Sequence, residues 1–166
     1  MEIYQLLKDD HKTVKTLLKK LEDTTERSQK ERTTLFTKLK EALIPHTRAE
    51  EKIFYESLKL SEVKEADDLA YEGYEEHGVA DRLIKELDKT EPSDKRWTAL
   101  MSVLKEVVEH HIKEEEENMF KKAQKSFDSE LAVEMGENFL ELKEKFLNIL
   151  QAGKIPKQAP SHSLSP

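Results

Sequence analysis

Two short segments of the sequence place a histidine four residues before a glutamate. They are HTRAE, from His46 to Glu50, and HIKEE, from His111 to Glu115. On a helix, residues four apart lie one turn above each other and project in the same direction. Each segment could therefore present an imidazole and a carboxylate to the same metal ion. Since the chain contains no cysteine, thiolate sites and iron–sulfur clusters are excluded, and imidazole and carboxylate are the metal ligands that remain.

A further histidine precedes each of these segments at nearly the same distance. His11 stands 35 residues before His46, and His77 stands 34 residues before His111. The stretches around them, DDHKTVKTLLKKLE and EEHGVADRLIKELD, both have two acids before the histidine and apolar residues at matching offsets after it. The chain therefore reads as one helical hairpin repeated, which would bring two three-residue sets together in the core of a bundle. The predicted metal ligands are His11, His46, Glu50, His77, His111 and Glu115.

Two imidazoles and one carboxylate for each metal are typical of non-haem iron, with positions left open for small ligands. The same ligands also accept zinc or manganese. Taken alone, a histidine in a core is more often a hydrogen-bonded residue without a metal, and a run such as Glu114 to Glu117 is usually a solvated helix face. The agreement between the two halves favours the metal site, and a metal-free interaction bundle is the structural alternative.

Five helices must position these residues, according to the period of the apolar positions. They are predicted over about residues 2–23, 29–57, 62–89, 95–124 and 128–150. Pro45 lies inside the second, where it predicts a kink or a break. The predicted fold is all-α, an up-down four-helix bundle with an additional C-terminal helix, in one domain over residues 1–150. Residues 151–166 are rich in proline and lack periodicity, which predicts a disordered tail, so His162 is left out of any site.

Composition and charge limit the possible partners and locations. Charged residues make up 38% of the chain and hydrophobic residues 36%, which is typical of a soluble helical protein. The formal net charge of −7 argues against nucleic acid as a partner. The chain contains no run of about 18 apolar residues, the length that a membrane helix needs. Its first residues do not resemble a signal peptide. A cytoplasmic location is therefore expected.

Four segments resemble the hemerythrin superfamily, specifically its bacterial HHE cation-binding domains. They read DDHKTVKTLL, PHTRAEEKIFY, EEHGVADRLI and HHIKEEEENMF, and the resemblance covers about residues 1–150. It implies two iron ions (Fe2+/Fe3+) with an oxo or hydroxo bridge. The terminal ligands would be His11, His46, His77 and His111, and the bridging carboxylates would be Glu50 and Glu115.

The sequence departs from the oxygen-carrying hemerythrins of invertebrates, which have a fifth histidine four residues before the one that matches His77. Gly73 occupies that position here. On the fourth helix, those hemerythrins have a His-x-x-x-x-Asp motif, and His110 and Glu115 have the same spacing with Glu in place of Asp. Both the internal repeat and the HHE pattern nevertheless select His111 as the ligand. These departures place reversible oxygen carriage in question. Tyr55 and Tyr74 are noted as neighbours of the predicted site, with ordinary packing and hydrogen bonding the expected role of Tyr74.

The leading functional hypothesis is a non-haem di-iron protein that binds dioxygen or another small diatomic ligand for storage, sensing or iron handling. The alternative is a di-iron enzyme that acts on peroxide or another oxidant, with peroxidase, catalase-like or oxidase activity. A non-enzymatic role is preferred, although the residues do not separate the two. Ferritin-like iron oxidation fits less well, since that family uses Glu-x-x-His and more carboxylates. No protein partner can be named from the sequence.

Overall fold

Residues 1–160 are described by the computed structural model, and within them the regular structure is entirely helical. The five helices are α1 (Ile3–Glu22), α2 (Gln29–Glu50, continued through Glu51–Tyr55 and Glu56–Lys59), α3 (Ala66–Asp88), α4 (Lys95–Glu114, continued through Glu115–Met119 and Phe120–Ser126) and α5 (Ser129–Gln151). The predicted all-α fold is confirmed. α3 begins later than predicted, because the chain before it turns through Glu65, whose φ of 64° is left-handed.

The first four helices form the predicted up-down bundle. α1 packs against α2, α3 packs against α4, and α1 also contacts α4. α5 lies outside this bundle, against α2 and α1. Two N-caps set helix starts near the predicted ones: the Asp94 side chain accepts a hydrogen bond from the Arg96 amide, and the Asp128 side chain accepts one from the Leu131 amide.

The buried apolar side chains form two clusters, one at each end of the bundle. One cluster contains Leu7, Phe54 and Phe120, and the other contains Val14, Leu43 and Val108 along with further core residues. Along α1, His11 falls between Leu7 of one cluster and Val14 of the other. The predicted ligands therefore occupy a polar layer between two apolar ends.

Two of the helices change their winding next to this layer. α2 is continuous through Pro45, so the predicted alternative of a break between two shorter helices does not apply. A π-helical turn follows at Glu51–Tyr55, and α4 has a second one at Glu115–Met119. Such turns are rare and are found frequently at functional sites. Both occur beside a predicted bridging glutamate, and the apolar period did not predict them.

The first residues of the predicted disordered tail contact the helical bundle. Residues 152–160 have no regular structure, yet Pro156 is buried and the backbone carbonyl of Pro156 accepts a hydrogen bond from Arg48 Nε at 2.8 Å. The cause lies in α2 and α3, which offer buried polar groups that this segment satisfies. His162 lies outside the described residues. Across residues 1–160, none of the helices is both long enough and apolar enough to span a membrane.

Candidate metal centre

All six predicted ligands are buried, and they come from four different helices. The most exposed is His111, at 7% of its surface, whereas Glu50 and Glu115 are fully buried. α1 contributes His11, α2 contributes His46 and Glu50, α3 contributes His77, and α4 contributes His111 and, in its π-helical turn, Glu115. The neighbouring His110 is exposed and faces away from this cluster.

The side chains form two groups that share a carboxylate. His11, His46 and Glu50 have ligand atoms within 4.8 Å of one another, and so do Glu50, His77 and His111. Glu50 Oε2 lies 3.6 Å from His46 Nε2 and 3.5 Å from His77 Nε2. We call His11 and His46 the α1–α2 pair and His77 and His111 the α3–α4 pair. Glu50 thus reaches one histidine of each pair.

Glu115 also spans the two pairs, from the opposite hairpin. Its Oε2 lies 3.1 Å from His11 Nε2 and 3.8 Å from His111 Nε2. Each histidine pair is therefore within reach of both glutamates. This is the arrangement that two cations bridged by two carboxylates require.

Several buried polar atoms of the cluster make no well-aligned hydrogen bond within residues 1–160. They are both carboxylate oxygens of Glu50, both of Glu115 and Nε2 of His11, although His11 Nε2 and Glu115 Oε2 are close enough for an ion pair when His11 is charged. Leaving such a group buried and unpaired costs about 1–3 kcal/mol, and more when it is charged. Divalent cations would satisfy these atoms, since carboxylate oxygens and imidazole nitrogens are their ligands.

The spacing of the histidine nitrogens also fits a cation. His77 Nε2 and His111 Nε2 are 3.1 Å apart. Two nitrogens bound at about 2.1 Å to one ion, at right angles, would be about 3 Å apart. The donor set and its geometry therefore fit a pair of metal ions.

Electrostatics distinguishes the two glutamates in the metal-free cluster. Burial raises the pKa of Glu50 well above its usual value, and the negative charge of Glu115 raises it further. Burial alone would also raise the pKa of Glu115, but the neighbouring His11 and His111 lower it overall. Without a metal, the cluster therefore favours the protonated form of Glu50, and a bound cation would favour the carboxylate instead.

Each of the four histidines also contacts a carboxylate through its other nitrogen. His46 Nδ1 lies 3.0 Å from Asp10 Oδ2, and His77 Nδ1 lies 2.8 Å from Glu51 Oε1. An Nδ1–H that donates to a carboxylate fixes the tautomer in which the Nε2 lone pair faces the metal. These carboxylates orient both imidazoles toward the centre of the cluster.

The remaining two histidines repeat this pattern. His11 Nδ1 lies 2.8 Å from Glu116 Oε1, and His111 Nδ1 lies 3.4 Å from Glu76 Oε1. In both hairpins, the acid just before the first histidine orients the second one. In both, the acid just after the bridging glutamate orients the first histidine of the other hairpin. The repeated acids were visible in the sequence, but their role was not predicted from it.

A tyrosine side chain lies directly beside the α3–α4 pair. The Tyr55 hydroxyl is 3.2 Å from His111 Nε2 and 3.4 Å from His77 Nε2. Its ring fills the space next to Gly73, since a Cβ on that glycine would lie 2.6 Å from the hydroxyl oxygen. Tyr55 therefore occupies the space of any side chain at position 73, where oxygen-carrying hemerythrins have their fifth histidine. Burial raises the pKa of Tyr55, so the hydroxyl keeps its proton.

Tyr74, the other tyrosine that the sequence suggested, points elsewhere. Its hydroxyl donates toward Glu56 Oε1 at 2.7 Å and lies 3.1 Å from the backbone carbonyl of Glu51. It is an ordinary hydrogen-bonded packing residue, as expected.

A small cavity opens onto all four histidines. It has a volume of about 20 Å³, and its other walls include the apolar side chains of Val14, Leu43, Ala80, Val108 and Ile112. A cavity of this size holds one or two water-sized atoms. The cavity therefore has room for a very small ligand beside the histidines.

This geometry agrees with the comparisons to known proteins. The family model of the hemerythrin HHE cation-binding domain matches residues 2–123. The chain belongs to this family. Membership implies that this hemerythrin domain binds a metal cation, and the predicted family is confirmed.

A solved structure supports the same assignment over nearly the whole molecule. The crystal structure of a hemerythrin HHE cation-binding domain-containing protein from Mycobacterium kansasii is similar to this hemerythrin domain, with a TM-score of 0.74 and 25% sequence identity. The similarity covers 91% of this chain and 93% of that chain. No curated protein sequence matches the chain.

Proposed function

We propose that the hemerythrin domain holds two iron ions and binds dioxygen or another small diatomic ligand at this di-iron centre, for storage, sensing or iron handling. The observation that carries the proposal is the set of four buried carboxylate oxygens that lie between two histidine pairs and accept no hydrogen bond within residues 1–160. The proposed ligands are His11, His46, Glu50, His77, His111 and Glu115. A cytoplasmic location stays a prediction.

Two ions fit this cluster better than one. Each glutamate lies within 4 Å of a histidine from both pairs, so a single ion at either pair would leave the other pair without a cation. Two cations also balance two buried carboxylates, which would otherwise be costly or protonated. The choice of iron rests on the family, because these ligands also accept zinc and manganese.

The chain's own residues explain how a small ligand could be held. Iron, once bound, supplies open coordination positions and reversible one-electron chemistry. The apolar walls of the cavity exclude bulk water, which protects a bound diatomic ligand from protonation. The Tyr55 O–H lies beside the α3–α4 pair and can donate a hydrogen bond to a ligand there. The carboxylates on each Nδ1 keep the imidazoles aimed at the ions.

Metal analysis and an optical titration test this proposal. The purified protein should contain two iron ions, and the reduced protein should change its absorption under dioxygen and return to the starting spectrum under nitrogen. His77→Ala should lose the response, whereas His110→Ala should keep it, because His110 is exposed. Stronger damage from His110→Ala than from His111→Ala would show that the ligand assignment on α4 is incorrect.

A peroxide-consuming enzyme is the second candidate, and the Tyr55 hydroxyl is the observation that favours it. A protic group beside a redox-active metal can deliver protons, as the conversion of two hydrogen peroxide molecules to two waters and one dioxygen requires. Multiple-turnover peroxide consumption that survives removal of free iron and is lost in His77→Ala would support this enzyme over the binding protein. Tyr55→Phe should then slow turnover while keeping the bound iron.

A further inference from the structure

Residues 152–160 form a segment that returns from the end of α5 to α2 and α3, and we call it the C-terminal strap. Two hydrogen bonds of the strap are made to one buried carboxylate. Gln158 Nε2 donates to Glu51 Oε1 at 3.0 Å, and the Ala159 amide donates to Glu51 Oε2 at 3.0 Å. Gln158 Nε2 also lies 2.6 Å from the backbone carbonyl of Tyr74. The strap is thereby fixed to both helices.

Glu51 connects the strap to the metal centre. It is fully buried, and Oε1 accepts the Nδ1–H of His77 at 2.8 Å in addition to the bond from Gln158. The nearest cation, Arg48 Nη1, is 4.0 Å away from Oε1. The strap therefore supplies hydrogen bonds to both oxygens of the carboxylate that orients His77, and it limits the movement of that carboxylate.

The α1–α2 pair is supported differently. Asp10, which contacts His46, forms an ion pair with Lys143 of α5. The edge of the His46 ring also packs against Phe139 of α5, with ring centroids 5.9 Å apart. A regular helix thus supports one histidine pair, and an irregular segment supports the other.

We propose that Gln158 and Ala159 are positioning residues for His77, acting through Glu51, so that the C-terminal strap controls how firmly the α3–α4 pair holds its metal ion. This inference rests on the proposed two-metal centre. It predicts that disturbing the strap accelerates release of one ion and leaves the other unchanged. Partners that orient metal-bound histidines typically change metal affinity by roughly 10–100-fold when they are removed.

Release of cobalt(II) to a chelator, followed through its visible absorption, tests the inference on the full chain. Gln158→Ala should accelerate release of one of two cobalt ions by roughly tenfold. Gln158→Glu should accelerate it more, because a carboxylate of the same shape replaces the donor that faces Glu51. A role in packing alone would lower the overall stability of both variants without accelerating the release of one ion selectively. Lys157→Ala, at the exposed neighbouring position, is the matched control and should release both ions at the wild-type rates.

Three further variants assign the faster phase to a histidine pair. Glu51→Gln should accelerate the same phase as Gln158→Ala, and the double variant should add little, because both changes act on one hydrogen-bonded chain. Lys143→Ala should accelerate the other phase through Asp10 and His46. Wild-type rates in both Gln158 variants, or equal acceleration of both ions, would overturn the inference.

A measurement without metal separates this inference from the proposed function. In the metal-free protein, the Ala159 amide hydrogen should exchange slowly with solvent, and Glu51→Ala should accelerate its exchange. Rapid exchange in the wild type would overturn the strap contact itself. If the wild type binds fewer than two cobalt ions while Ala159 stays protected, the two-metal centre and the predicted effect on release fail, and the strap contact with Glu51 stands.

Discussion

The two histidine pairs come from equivalent positions of a repeated hairpin, yet an aromatic side chain of different chemistry stands beside each. Tyr55 follows His46 by nine residues, and Phe120 follows His111 by nine residues. The Tyr55 ring stacks on His77 with centroids 5.3 Å apart, and the Phe120 ring lies parallel to His11 at 6.2 Å. The repeat therefore preserves the aromatic ring but gives a hydroxyl to only one pair.

The residue four positions before the first histidine of each hairpin explains why only Tyr55 reaches the ligand nitrogens. That residue is Gly73 in the second hairpin and Leu7 in the first. The glycine leaves room for the Tyr55 hydroxyl at the ligand nitrogens, whereas Leu7 is a fully buried core side chain. The comparison indicates that the two proposed metal positions would have the same kinds of ligand but only one of them a proton donor nearby.

Substitution of the two proposed bridging glutamates tests what the two histidine pairs have in common, and it has the largest expected effect. Because each lies within reach of both pairs, Glu50→Ala or Glu115→Ala should remove most metal from both, as measured by elemental analysis. Glu114→Ala and Glu117→Ala are matched controls on the same helix as Glu115 and should retain their metal. Equal loss in all four variants would remove the basis for assigning Glu115 as a ligand.

Proton release tests the electrostatic difference between histidines. Burial alone would lower the pKa of His11, but Glu115 and Glu116 raise it to about 9, whereas burial lowers the pKa of His46 to about 4. At pH 7, His11 is therefore charged and His46 is neutral, so a cation must displace the proton of His11.

Metal affinity should consequently rise with pH between about 7 and 9, by up to about tenfold per pH unit for one proton. Calorimetric titration of the metal-free protein in buffers of different ionisation enthalpy measures the number of protons released. An affinity that stays flat over this range, with no proton released, would contradict the assignment of His11 as a protonated ligand.

Substitution of two glycines of α3 by alanine tests the packing of Tyr55. The expected changes in the free energy of unfolding are the smallest of the predicted effects. Gly73→Ala would place a Cβ 2.6 Å from the Tyr55 hydroxyl, which forces the ring to move. Such overpacking should lower the free energy of unfolding of the metal-free protein by about 1–3 kcal/mol. Denaturant unfolding measures this change.

Gly78→Ala is the matched control on the same helix. Its Cβ would meet Gln158 Oε1 at 3.5 Å, an ordinary contact, so the gain in helix propensity should stabilise the protein by about 0.5–1 kcal/mol. A loss of stability of equal size in both variants would show that Tyr55 does not depend on the absence of a side chain at position 73.

Periodicity and the internal repeat were sufficient to predict the five helices and the bundle. They also selected six residues that the fold brings together, because His11 and His77 fall on the same apolar stripes as the core. Periodicity and the internal repeat did not predict where the Tyr55 side chain lies. Five residues correspond to about 1.4 turns of a regular α-helix, so Tyr55 would point away from Glu50. The π-helical turn winds more slowly and brings both side chains to the same face.

The C-terminal strap was not predicted for a different physical reason. A proline-rich segment without periodicity resembles a disordered one, because its hydrogen bonds are made to distant residues and leave no local pattern. Glu51 is the one residue that could have indicated the contact. The repeat places an acid there, and a buried carboxylate needs hydrogen-bond donors. The sequence indicates the need for a donor but not which segment supplies it.

The separation of the core into two apolar clusters affects how strongly the stability of the fold depends on bound metal. Each cluster contains more than a dozen buried apolar side chains among the described residues, and the large aliphatic and aromatic ones contribute about 1.5–3 kcal/mol each when fully buried. The two clusters thus supply most of the favourable free energy of folding, and they enclose the polar layer of predicted ligands between them. We therefore expect the metal-free protein to remain folded through its two apolar clusters, but with a smaller free energy of unfolding than the metal-bound protein.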